Sequence, residues 1–184
     1  DMYVGVKLNK SGIIIGDTNR FTDIHGNGVR VRNIGLSKPI VAGYYTRNKT
    51  TSTYAIDIEG SARLGNIDIL STYRGINIRS DGYDAIVDVS PNAVVNIHNN
   101  KEGIDVRGGS DSVLTLDLSD INKVIVNGSE VYAMLLMYNT TYVAPSYDEL
   151  GGKVLISNNS LGLYLARLNG TYVPMNITDF FIIN

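Results

Sequence analysis

The stretch Gly75-Ile-Asn-Ile-Arg-Ser-Asp-Gly-Tyr-Asp-Ala-Ile-Val-Asp-Val-Ser-Pro-Asn-Ala-Val-Val-Asn-Ile-His-Asn-Asn100 decides how the rest of the chain reads. It contains three short runs in which apolar residues alternate with polar ones: Gly75–Arg79, Asp84–Val89 and Val94–Ile97. Alternation with period two marks a strand with one buried face and one wet face. The runs are separated by Ser80-Asp81-Gly82 and Ser90-Pro91-Asn92, residues that turn a chain. The next stretch repeats the arrangement: Gly103–Arg107, a turn at 108–111, Val113–Leu118 and Val124–Asn127. Glu130 to Met137 is the one segment with a helical alternative, and it reads as a strand between strands.

A four-residue signature opens each unit: a small residue, an aliphatic, any residue, an aliphatic. It occurs at Gly5–Leu8, Gly28–Val31, Ala55–Ile58, Gly75–Ile78, Gly103–Val106 and Gly162–Leu165, and weakly at Ala133–Leu136. The spacing averages about 26 residues, within the range of stacked repeats. Three strands per repeat, short turns and no helix describe one coil of a parallel β-helix. The whole chain, 1–184, is expected to form a single all-β solenoid of about seven coils. Val6/Leu8, Val29/Val31, Ile56/Ile58, Ile76/Ile78, Ile104/Val106 and Leu163/Leu165 would stack inside it. Two outward rows follow, Lys7-Arg30-Asp57-Asn77-Asp105 and Arg32-Glu59-Arg79-Arg107, expected as a solvated face with weak attraction between opposite charges on adjacent coils. Arg79 beside Arg107 would repel unless an acid or a ligand lies near. An antiparallel sandwich is the competing architecture. The recurring signature and the lack of regular hairpin dipeptides argue against it.

Composition fits this reading. The chain has 184 residues, a net charge of −2, 18% charged residues, no cysteine, two histidines and 19 glycines. It also has 19 asparagines, and both Gly and Asn adopt the left-handed backbone that tight turns need. The slight negative charge excludes non-specific nucleic-acid binding. Without cysteine, and with His25 and His98 isolated from one another, no metal or cofactor is expected. An Asn pair recurs in matching ten-residue stretches, Ile97–Val106 and Ile156–Leu165. One Asn can take the left-handed turn, and a side-chain amide can bond its neighbour one coil away.

Candidate functional residues fall in two places. Ser37 to Tyr54 and Tyr138 to Gly152 look too long for turns, and loops on a rigid scaffold often carry contacts. The second holds Tyr138, Tyr142, Tyr147, Asp148 and Glu149, a recognition-like composition. Arg79 and Arg107 are the other ligand-binding candidates. Asp57, Glu59, Asp105 and Arg79 could share a face, but acids alternate with bases there, so no catalytic residue is assigned. Seven Asn-x-Ser/Thr sequons, at Asn9, Asn48, Asn127, Asn139, Asn158, Asn169 and Asn176, exceed the roughly three expected from random placement.

The Gly-aliphatic-x-aliphatic coils, the Asn pairs at 99–100 and 158–159 and the absence of cysteine resemble the passenger region of Gram-negative autotransporters and related surface adhesins. The resemblance runs along nearly the whole chain and is one of style, without a specific motif. It implies a right-handed parallel β-helix, a fragment of a longer rod, exported to the bacterial cell surface. Any anchoring to the outer membrane would use segments outside this chain. The implied role is non-enzymatic attachment to a host glycan or protein receptor, or self-association between cells, as in virulence and biofilm formation. The family has no shared binding motif, so no residue carries over. The alternatives are a polysaccharide-degrading β-helix enzyme or phage tailspike fragment, and a self-assembling surface filament.

Overall fold

A computed structural model describes residues 54–143, position 81 apart, and 153–166, together with Lys38 and 40–46; of 6–9, 20–22, 29–33 and 181–183 it describes the strand backbone. Among the described residues there are strands and no helix. In chain order they are β1 (Val6–Asn9), β2 (Arg20–Thr22), β3 (Val29–Asn33), β4 (Ile40–Thr46), β5 (Tyr54–Gly60) and β6 (Ala62–Leu70). Then come β7 (Arg74–Arg79), β8 (Ala85–Val89), β9 (Val94–His98), β10 (Glu102–Arg107), β11 (Leu114–Asp117) and β12 (Lys123–Asn127). The last are β13 (Tyr132–Met137), β14 (Thr140–Val143), β15 (Val154–Ser157), β16 (Leu163–Ala166) and β17 (Phe181–Ile183).

The strands form two parallel sheets, with successive turns of the chain adding one rung to each. Sheet A has the order β1-β3-β5-β7-β10-β13-β16. Its register places Val6, Val29, Ile56, Ile76, Ile104, Met134 and Leu163 on one line. Leu8, Val31, Ile58, Ile78, Val106, Leu136 and Leu165 lie on the next. Both inner lines are those expected from the signature, and the weak copy at Ala133 falls into the same register. Sheet B continues the coil through two side-by-side ladders. The first half of β6 pairs β8 and the second half pairs β9. From there β8-β11-β14 and β9-β12-β15-β17 run in parallel. Ile56, Ile58, Ile69, Ile76, Ile78, Ile97, Leu114 and Val126 are all shielded from solvent and belong to one hydrophobic core.

The fold is therefore a β-solenoid, with two differences from the expectation. About four turns, β5 to β15, are described throughout, against seven expected. The turn containing β5 and β6 also has two long strands in place of three. Its Gly65-Asn66 continues as strand, whereas one coil later the equivalent chain breaks at Ser90-Pro91-Asn92, where Asn92 is left-handed (φ 62°).

The corner that leads back into sheet A explains the Asn pairs. Ser71, Asn99, Gly128 and Asn158 occupy it in successive coils, all with positive φ (56°, 54°, 72° and 52°). In two of these corners the next residue is an asparagine whose side chain bonds along the stack. Asn100, fully buried, accepts from the Thr72 amide at 2.7 Å and from the Thr72 hydroxyl at 2.9 Å. Asn159 accepts from the Ser129 amide at 2.7 Å and donates to the Val126 carbonyl at 3.0 Å. The two members of each pair thus divide the work: one bends the chain, the other satisfies buried backbone groups. The small residue of the signature also has a cause. A Cβ at Gly103 would lie 2.0 Å from the Ala133 carbonyl oxygen and 2.9 Å from the Val126 side chain.

The two long segments are less loop-like than their composition suggests. Residues 40–46 of the first form β4, which pairs β6. Its Tyr45 is buried and donates from its hydroxyl to the Ala42 carbonyl. Thr140–Val143 of the second form β14, paired with β11. In β14 the alternation that matters is of burial, not residue type: Thr140 and Tyr142 face inward while Val143 is exposed. The remainders, 47–53 and 144–152, lie outside the described residues.

Candidate functional site

The outer face of sheet A concentrates the charged and aromatic side chains. Alternation turns Asp57 outward between the buried Ile56 and Ile58, and the register sets Asp57 against Asn77, Asn77 against Asp105, Asp105 against Leu135 and Leu135 against Tyr164. The expected solvated row is closed over: Asp57 is 7% exposed, Asn77 4% and Asp105 1%. Among the side chains that meet over these short polar groups are Tyr54, Arg79, Arg107 and Tyr132.

Burying a carboxylate is costly unless donors replace its water, and each acid on this face has them. Asp57 accepts from the Asn77 amide at 2.7 Å. Glu59 accepts from Arg79 Nη2 at 3.1 Å, and the same nitrogen lies 3.7 Å from Asp57. Asp105 accepts from Arg107 Nε at 2.7 Å and from Arg107 Nη2. Its Oδ2 also lies 3.3 Å from the Tyr54 hydroxyl, two coils back, and 3.3 Å from the Tyr132 hydroxyl, one coil on. Glu102 accepts from the Tyr132 hydroxyl at 3.0 Å and pairs with Arg74 Nε at 2.6 Å. Arg74 lies 5.0 Å from the Tyr54 ring centroid and 5.6 Å from that of Tyr73, within cation–π range. Lys101 lies 4.5 Å from the Tyr73 centroid and donates to the Tyr73 hydroxyl at 2.9 Å.

The electrostatics lock these roles. Burial, then the charge of Asp105, pushes the Tyr54 phenol up to about 12. Burial and the charges of Asp105 and Glu102, with the hydrogen bond to Glu102, push Tyr132 further up. The hydrogen bond it donates to Asp105 raises Arg107 above its ordinary value. At neutral pH the tyrosines are neutral donors and the arginine is a fixed cation. The repulsion expected between Arg79 and Arg107 is relieved by an acid at each.

Of the residues singled out from the sequence, Arg79 and Arg107 are register partners on adjacent rungs, and both are partly exposed. Tyr138 is half-buried at the corner after β13, with φ 56°. Tyr142 is 3% exposed and packs in the core. Neither tyrosine belongs to the outer face of sheet A. Tyr147, Asp148 and Glu149 lie outside the described residues.

The sequence reading missed Tyr54, Arg74, Glu102 and Tyr132. A signal was present: each immediately precedes the small residue of a signature, at Ala55, Gly75, Gly103 and Ala133. The register then stacks them as Tyr54-Arg74-Glu102-Tyr132.

No protein family, curated protein or solved structure matches this chain.

Proposed function

We propose that the chain is a non-enzymatic attachment module, a β-solenoid segment displayed at a bacterial cell surface. It binds a host glycan, a protein receptor or a neighbouring copy through the side of the rod. The observation that carries the reading is the cross-coil bonding of the outer face of sheet A. Its acids and tyrosines are already engaged with one another, while the Arg79 and Arg107 side chains, 38% and 41% exposed, stand at its rim. A surface held in one geometry loses little freedom on binding, which favours recognition. Guanidinium groups retain further N–H donors after pairing with a carboxylate. A carboxylate that already accepts several bonds is poorly placed to take a proton from a substrate.

A second reading, a polysaccharide lyase or hydrolase, draws on one observation: Glu102 and Asp105 converge on the Tyr132 hydroxyl. One experiment separates the two. The chain is passed over immobilised glycans and cultured host cells, and the same polysaccharides are assayed for new reducing or unsaturated ends. Retention without product, weakened at least tenfold by joint Arg79→Gln and Arg107→Gln substitution with the circular dichroism unchanged, supports attachment. Catalytic release of sugar ends supports the enzyme, and neither retention nor release overturns both. Deleting 138–152 is too blunt a test of the second loop because it removes β14 from its ladder. Substituting Tyr147, Asp148 and Glu149 tests that segment without touching the strand.

A further inference from the structure

Three sequons lie among the described residues, at Asn127, Asn139 and Asn158; they take no part in the outer face of sheet A, and the structure treats them unequally. Asn127 donates from Nδ2 to the Ser157 hydroxyl at 2.8 Å, and the hydroxyl residue of its sequon, Ser129, is 2% exposed. Asn139 donates from Nδ2 to the carbonyls of Gly109 and Ser110, at 3.0 and 3.2 Å, and its Thr141 is half-buried. Both asparagines therefore bond across coils; a sugar on Nδ2 would displace an engaged hydrogen at Asn139 and would crowd the Ser157 contact at Asn127. Asn158 differs on every count. It is exposed, its Ser160 is exposed, and no side-chain bond ties it to another coil among the described residues. It occupies the left-handed corner position, and Asn159 beside it fixes the corner by its bonds to Ser129 and Val126.

We infer that Asn158 is a glycan acceptor of the folded chain and that the sequons at Asn127 and Asn139 are by-products of turn and ladder chemistry. The modification is transfer of an oligosaccharide from a polyprenyl diphosphate donor. A bond forms between Asn158 Nδ2 and the sugar C1, the C1–O bond to the diphosphate breaks, and the displaced amide proton passes to the transferase. The Asn158 side chain is exposed at its corner, so a bulky group there meets solvent, whereas Asn139 is bonded to Gly109 and Ser110 of the preceding coil.

The full chain is secreted from a host that carries such a transferase. Glycopeptides are then mapped from the folded, protease-resistant fraction. The expected result is occupancy at Asn158, with Asn127 and Asn139 bare. A bare Asn158, or occupancy at Asn127 or Asn139 equal to that at Asn158, overturns the inference. Two variants of unglycosylated protein give an independent reading. Ser160→Ala should abolish the Asn158 glycan in the secreting host and leave the unglycosylated melting temperature unchanged. Asn139→Ala should lower that temperature by about 2–4 °C through its lost cross-coil bonds. Equal melting of the two variants would contradict the distinction on which the inference rests.

Discussion

The inner and outer faces of sheet A are built from the same strands in the same register, yet they hold the stack together differently. Inside, Ile58, Ile78 and Val106 lie in line and exclude water. Each contact there is interchangeable with its neighbour. Outside, Asp57, Asn77 and Asp105 also lie in line, but Asp57 needs the Asn77 amide of the next coil and Asp105 needs Arg107 beside it. Tyr54 even reaches over an intervening rung to the vicinity of Asp105. The inner face supplies most of the stability by area, and the outer face supplies specificity of register. A slip of one coil would leave Ile against Ile inside but would strand a buried carboxylate outside.

The largest expected effect lies inside. Ile78→Ala removes a side chain with no solvent exposure and should cost about 2–5 kcal/mol in denaturant unfolding. A loss below 1 kcal/mol would mean the inner line is not packed as described.

Asp105→Ala comes next, at about 1–3 kcal/mol. It strips Arg107, Tyr54 and Tyr132 of a shared acceptor, while the partly exposed Arg107 can turn to water. If this variant matched wild type, the outer face would be decoration.

Tyr54→Phe should cost less, about 0.5–1.5 kcal/mol, and should change the alkaline limb of the stability curve. The Tyr54 phenol is raised from 10 to about 12 in the folded chain. The folded state therefore holds that proton more tightly than the unfolded state. Its contribution is whole below pH 10 and is lost as pH rises from 10 towards 12. In Tyr54→Phe that part of the alkaline decline should vanish, as read from melts at stepped pH.

The smallest effect belongs to sheet B. Burial alone would raise the carboxyl of Asp88, but hydrogen bonds and charge from Arg63 and Lys38 outweigh it and hold it below 3.8. Its contribution is present above that value and is lost as pH falls through the lowered folded one. Asp88→Asn should cost under about 1 kcal/mol at pH 7 and should flatten the decline below pH 4. A cost for Asp88→Asn at pH 7 larger than that for Asp105→Ala would reverse the ranking of the two surfaces.

Sequence alternation makes the inner face legible because burial acts on side-chain type, one residue at a time. The lines through Ile56, Ile76 and Ile104 needed only a period and a small residue to start the count. The outer face resists that method. Asp57, Asn77 and Asp105 carry the polarity of a wet row, and nothing in their own identity says that tyrosines and arginines will close over them. Tyr54 and Tyr132 act across coils, at distances of 51 and 27 residues from Asp105, beyond the reach of a local pattern. Tyr142 shows the converse. A tyrosine in a polar stretch reads as a contact residue, but its position on β14 turns it into the core.

The central claim is the in-register parallel stack, and the absence of native cysteine permits a direct measurement. Arg79→Cys and Arg107→Cys, made together, place two thiols on register partners of adjacent strands, at a spacing a disulfide accepts. Glu59→Cys with Arg107→Cys places them two rungs apart on the same line, beyond that reach. Under mild oxidation the first pair should crosslink quickly and completely within one molecule, and the second should not. Crosslinking of the second pair in preference to the first would contradict the stack.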